Sequence, residues 1–145
     1  MTDRVPLAAA LLGSAGLLPP LVGAVVAYGD LGSFGPVAGG FILTYAALIL
    51  SFLGGSWWAF ASREGQPRWW LLLFAVAPSL AAWAILPMRS TVEAGLWMAA
   101  LIAVSPVGDA FIHRRGLAPA WWMRLRVPLS LILALLVGLT VWWGR

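Results

Sequence analysis

This sequence predicts an all-α integral membrane protein of five transmembrane helices, and three observations carry that prediction. Val5–Gly29, Leu31–Ser62, Trp69–Met88, Ala94–Gly108 and Val127–Gly144 hold no charged side chain, and a helix needs ~20 mostly apolar residues to cross the ~30 Å hydrocarbon slab. All nine basic residues are arginines placed outside those stretches. Threaded five times, the chain puts Arg4, Arg63, Arg68, Arg114, Arg115, Arg124 and Arg126 on one side and only Arg89 and Arg145 on the other. By the positive-inside rule, the N-terminus is expected in the cytoplasm and the C-terminus outside. Four or six crossings would spoil the asymmetry.

With 62% hydrophobic and 10% charged residues in a chain of 145, the spans use nearly all of the length. Residues 1–145 therefore read as a single five-helix domain, with helices at about 5–28, 37–61, 69–86, 94–112 and 127–143. A secretory leader is the rival reading of the N-terminus, because Arg4 precedes an apolar run. That run continues past Leu18, so it is read as a retained helix. The expected location is a bacterial inner membrane, with the chain multi-pass.

The first helix contains Pro19-Pro20, where a missing donor and a steric clash with the preceding turn predict a kink or partial break. In lipid, the carbonyls freed near Ala15 and Gly16 then need a neighbouring helix or a hydroxyl. Gly29–Gly40 is glycine-rich and reads as the first external loop. The second helix carries Ser51, Gly54 and Gly55, small residues that let two backbones approach closely. The third has Pro78-Ser79 at its midpoint, and the fourth has Pro106 and Gly108 toward its arginine-side end. The fifth is almost purely aliphatic. Three kinked helices in so small a bundle predict an interior able to enclose a pocket.

Ten tryptophans include four adjacent pairs: Trp57-Trp58, Trp69-Trp70, Trp121-Trp122 and Trp142-Trp143. Indole suits the headgroup boundary, because its body is apolar and its edge carries one donor. Helical neighbours point about 100° apart, so one member of each pair is expected to turn inward. The residues singled out as a ligand or packing groove are Tyr45, Ser51, Gly54, Gly55, Trp58 and Trp83.

The segment Arg114–Arg126 is the most distinctive polar stretch. Pro119 is placed to start a short helix, and Trp122 and Arg126 stand four apart, where a cation–π contact is feasible. Arg114, Arg115, Trp121, Trp122, Arg124 and Arg126 are expected to dock on anionic lipid or on the acidic face of a partner.

Several chemistries are excluded. No cysteine is present, which removes disulfides, thiolate metal sites and cysteine nucleophiles. No lysine is present, so neither a Schiff base nor a P-loop lysine is possible. His113 alone cannot assemble an ordinary metal site, and no cofactor can be named. The net charge of +4 flanks apolar spans, so lipid headgroups rather than nucleic acid are the expected counter-charge. Ser105, Asp109 and His113 fall at i, i+4 and i+8 on one helix face, but a working triad places the histidine in the middle, not the acid. Asp109 is instead expected to pair with His113, Arg114 or an arginine of the second loop, with a proton relay as the other reading.

The run Tyr45-Ala-Ala-Leu-Ile-Leu-Ser-Phe-Leu-Gly-Gly-Ser-Trp-Trp58, then Pro78-Ser79-Leu80-Ala-Ala-Trp83, then Trp121-Trp122-Met123-Arg124-Leu125-Arg126-Val127-Pro128 resembles an uncharacterised bacterial membrane family. That family is domain of unknown function three-four-two-nine, which has a mitochondrial transmembrane relative in animals. Its pattern often has a basic or histidine residue between the glycines and the tryptophan, where this chain has Ser56-Trp57. The resemblance implies a five-helix inner-membrane protein and supplies no activity. The expected function is that of a non-catalytic accessory or assembly protein of a larger inner-membrane complex, in contact with other membrane proteins. The alternative is a tryptophan-rich protein that binds a porphyrin- or lipid-like molecule, similar in outline to the tryptophan-rich sensory proteins.

Overall fold

A computed structural model describes residues 4–29, 34–63 and 65–145, with side chains in the second long helix described from Val37 onward. The regular elements are α1 (Leu7–Ala15), α2 (Leu18–Tyr28), α3 (Phe34–Ala61), α4 (Trp69–Ile85), α5 (Thr91–Arg114) and α6 (Trp122–Trp143). Among the described residues there is no strand. Leu7–Tyr28, Val37–Ala61, Thr91–Arg114 and Trp122–Trp143 are each long and apolar enough to cross a membrane. The 17 residues of α4 meet the lower end of the ~17–25 that suffice. The five expected helices are present, the first as a broken pair.

The break follows from proline chemistry. Gly16 and Leu17 form the turn, and Pro19 and Pro20 lie in the first turn of α2, where an N–H has no helical partner to lose. The orphaned Gly16 carbonyl accepts a hydrogen bond from the Tyr45 hydroxyl of α3 at 2.5 Å, so the acceptor that the proline pair predicts finds its donor on a neighbouring helix.

Three boundaries differ from the sequence expectation. Helix α3 begins at Phe34, so Gly35, Gly39 and Gly40 are helical rather than part of a Gly29–Gly40 loop, of which residues 30–33 lie outside those described. Glycine is a weak breaker in lipid, where the backbone has no water to bond instead. Helix α5 begins at Thr91 because the Ser90 hydroxyl accepts the Glu93 N–H at 3.2 Å, an N-cap in the Ser-x-x-Glu pattern. Helix α6 begins at Trp122 rather than Val127, and the expected short helix after Pro119 is only the turn that leads into it. Arg124 and Arg126, expected in that separate short helix outside the fifth span, lie inside α6 itself.

Helix α3 lies at the centre. Ala46, Leu50, Leu53, Trp57 and Ala61 recur every three or four residues along it and are all buried. Beside them, Gly54 touches α4 so closely that a Cβ there would run into the Ala75 carbonyl oxygen. Helix α5 packs on α6 and α3, and α2 fits against α3 and α6. By contrast α4 leans on α3 and meets α5 only lightly, while α1 touches chiefly α6.

The start of α1, the end of α3, the start of α4, the end of α5 and the start of α6 share one end of the bundle, the arginine end. There α5 stops in a Schellman turn: Gly116 N–H bonds the His113 carbonyl at 2.9 Å and Leu117 N–H reaches the Ile112 carbonyl at 3.4 Å. Gly116 has φ 72°, a left-handed conformation that glycine adopts without steric cost. The Arg63 guanidinium donates to the Leu117 carbonyl at 3.1 Å and ties this turn to the end of α3. At the opposite end, the rings of Tyr28 and Trp143 meet edge to face at 4.9 Å.

Candidate functional site

Two features of the arginine half stand out, and both are built on α5. The first is a buried polar knot. Pro106 supplies no N–H to the Ile102 carbonyl one turn back, and the Ser105 hydroxyl donates to that carbonyl at 2.8 Å. With its proton so committed, the Ser105 oxygen accepts from the Ser130 hydroxyl of α6 at 3.3 Å and from Arg126 Nη2 at 3.4 Å. One turn further along α5, Asp109 is fully buried. Its Oδ1 accepts from the indole N–H of Trp57 at 2.9 Å and of Trp122 at 2.8 Å, and its Oδ2 from Arg126 Nε at 3.1 Å. Arg126 is only 9% exposed, so the charges cancel inside the bundle.

This corrects the expected partners of Asp109. The acid pairs with Arg126, seventeen residues on, and not with His113, Arg114 or an arginine of the second loop. His113 Nδ1 is buried without a hydrogen-bond partner. The physical reason is reach: Arg126 sits four residues past the start of α6, a full helical turn in, where its side chain meets the Asp109 carboxylate of α5. The Ser105 oxygen meets Arg126 and Ser130 rather than an imidazole. Among the described residues, no three His, Cys, Asp or Glu side chains converge as metal ligands. Every oxygen of the Asp109 carboxylate is occupied by protein donors, so the knot fastens α3, α5 and α6 together and offers no open valence to a substrate.

The second feature is an apolar cleft of about 490 Å³ between α4 and α5. Leu50 and Trp57 of α3 form its floor; Trp70, Phe74, Ala77, Pro78 and Ala81 line the α4 wall; Leu101, Val104, Gly108 and Phe111 line the α5 wall. Trp57 stacks on Phe74 with centroids 4.7 Å apart. It can lie flat there because Gly108 has no Cβ; one added would meet the indole ring at 2.5 Å. At the arginine end, the guanidinium carbon of Arg115 stands 4.7 Å from the ring centres of both Trp70 and Phe111.

The groove expected from sequence is not assembled. Trp83 and Trp58 are 74% and 46% exposed and face outward, and Ser51 and Gly55 are exposed on α3. Tyr45 serves the α1–α2 break, and only Gly54 is a packing contact. Of the docking residues, Arg114, Arg115 and Arg124 are exposed. Arg126 is withdrawn into the knot, and the half-buried Trp122 donates to Asp109 while the Arg126 guanidinium carbon lies 5.9 Å from its ring centre, the contact expected from the spacing. Trp121 lines a smaller cavity of about 330 Å³ between α1, α3 and α6. Trp57, Trp70, Phe74 and Phe111 were not singled out as site residues. The buried repeat Ala46, Leu50, Leu53, Trp57, Ala61 carries the signal that would have chosen Trp57 over Trp58.

Fold and site together define a multi-pass helical membrane protein with an aromatic-lined cleft and an internal ion pair. The chain belongs to the family described as Protein of unknown function (DUF3429), whose model matches residues 5–142. It is 34% identical over 133 residues to Transmembrane protein 69 of Xenopus tropicalis, a match that covers 88% of this chain and 51% of that protein. The chain thus spans about half the length of that curated relative. No solved structure matches it.

Proposed function

We propose that this protein is a non-catalytic membrane component that holds a lipid-like amphiphile in the α4–α5 cleft. One observation carries the reading: the cleft, at about 490 Å³, has the size of ligand sites, which run ~300–1,000 Å³, and aromatic rings line most of its arginine half. The polar knot beside it has no free acceptor, which favours a binding role over a chemical one. The porphyrin branch of the expectation draws no support from the geometry, because among the described residues no imidazole, thiol or carboxylate lines the cleft. The test is native mass spectrometry of the full chain extracted in mild detergent. A retained lipid mass is expected, and it should be lost in Ala81→Trp, which fills the cleft from the α4 wall. Retention undiminished in that variant would place the lipid elsewhere.

Orientation belongs to the same proposal. With Arg126 inside the bundle, six arginines remain at one end against two at the other, and by the positive-inside rule that excess supports an N-terminus in the cytoplasm of a bacterial inner membrane. Reporter fusions that find both termini on one side would overturn that placement. A role as accessory subunit rests on one feature: α1 leans chiefly on α6 and turns Leu7, Leu11 and Leu12 outward. Native sizing of the same extract tests it, since a solitary monomer under all mild conditions would remove that reading.

A further inference from the structure

We infer that the cleft selects an anionic phospholipid, with Arg115 as the headgroup-reading residue at its mouth. This inference rests on the reading of the α4–α5 cleft as a ligand site and names the ligand's charge and its leaflet. The argument starts from how Arg115 is held. Its guanidinium lies against the two rings that form the arginine-end rim of the cleft, Trp70 and Phe111, at 4.7 Å from each centroid. Those rings are themselves edge to face at 5.9 Å.

Contact through the rings fixes the position of the charge while leaving the in-plane N–H donors unused. Among the described residues, no carboxylate or carbonyl accepts a hydrogen bond from Arg115. The donors therefore stand at the level where α5 ends, which is the headgroup level, directly over a hydrocarbon-lined slot. The face from Leu101 to Phe111 gives that slot a length of about 15 Å at ~1.5 Å per residue. A phosphate on the guanidinium and an acyl chain in the slot satisfy both parts at once, because a guanidinium fork matches phosphate oxygens. Of the other arginines at this end, Arg126 is already neutralised by Asp109 and lines the smaller cavity on the far side of α5. The α4–α5 mouth thus carries a positive charge held by its rim rings, whereas the Arg126 charge beside the smaller cavity is already paired. The lipid is drawn from the leaflet on the arginine side.

The experiment uses the full chain in vesicles of equimolar phosphatidylcholine and phosphatidylglycerol. A trace of either lipid carries a photoactivatable diazirine on one acyl chain, and labelled peptides are mapped after illumination. The phosphatidylglycerol probe is expected to label the Ala77–Ala81 and Leu101–Gly108 segments about fivefold more than the phosphatidylcholine probe, the ratio that one arginine near an anionic surface supplies. Arg115→Gln should bring the two probes to parity, and Arg114→Gln should keep the preference. Arg115 is exposed, so neither change is expected to move the helical circular dichroism. Equal labelling by both probes in the unaltered chain, or a preference that survives Arg115→Gln, overturns the headgroup assignment while leaving the cleft as a lipid site. Absence of label from both segments with either probe overturns the cleft reading itself.

Discussion

The two flanks of α5 are built to opposite ends. Toward α6 the helix is sealed: Asp109 meets Arg126, Ser105 meets Ser130, and Met98 and Ile102 are fully buried against a neighbour that includes Val137 and Val141. Toward α4 the same helix stands off, and aromatic rings border a gap. The difference shows how a small bundle with few polar groups keeps an opening without falling apart. Helix α4 is anchored to α3 through Gly54, so α5 need not hold it. The knot in turn holds α5 to α6, so the cleft can stay open.

The largest test of this division is Asp109→Asn. It leaves Arg126 charged in the interior, and breaking a buried pair from one side costs about 3–5 kcal/mol. A melting temperature in detergent unchanged from the parent would show that the sealed flank does not depend on the pair. Next in size is the anchor of the open flank. Gly54→Ala drives a Cβ into the Ala75 carbonyl, and overpacking of this kind costs about 1–3 kcal/mol. Gly55→Ala, with no atom within 4 Å of the new Cβ, should leave the melt within about 0.5 kcal/mol of the parent. Equal effects at the two positions would mean that α4 is not seated on Gly54. The smallest effect is expected for Ser130→Ala, which removes one interhelical hydroxyl contact, worth about 0.6 kcal/mol on average in a membrane protein. A loss comparable with that of Asp109→Asn would move the weight of the sealed flank from the ion pair to the hydroxyls.

The helical passes were legible in the sequence because uncharged runs of bilayer length have few other readings. The α1–α2 break was legible too, since Pro19-Pro20 orphan carbonyls whatever surrounds them; that Tyr45 supplies the donor was not. The site was mostly illegible. Which member of Trp57-Trp58 faces inward depends on helix phase over the whole of α3, and a pair of adjacent tryptophans does not state it. Arg126 resisted reading for a different reason. A charge near a span end is solvated in most chains, and only a partner seventeen residues away, on another helix, makes an interior arginine tolerable. Ser105 beside Pro106 offered a usable clue, because a hydroxyl next to proline can bond the carbonyl that proline leaves free.

The Asp109–Arg126 pair also bears on how the chain enters its membrane. Each residue alone opposes insertion of the helix that carries it, by up to about 2.5–3.5 kcal/mol, the cost of a charge at a helix centre. Neutralised against each other across the short turn between α5 and α6, they no longer oppose partition into lipid. The last two helices are therefore expected to enter lipid more readily together, as one hairpin, than one at a time.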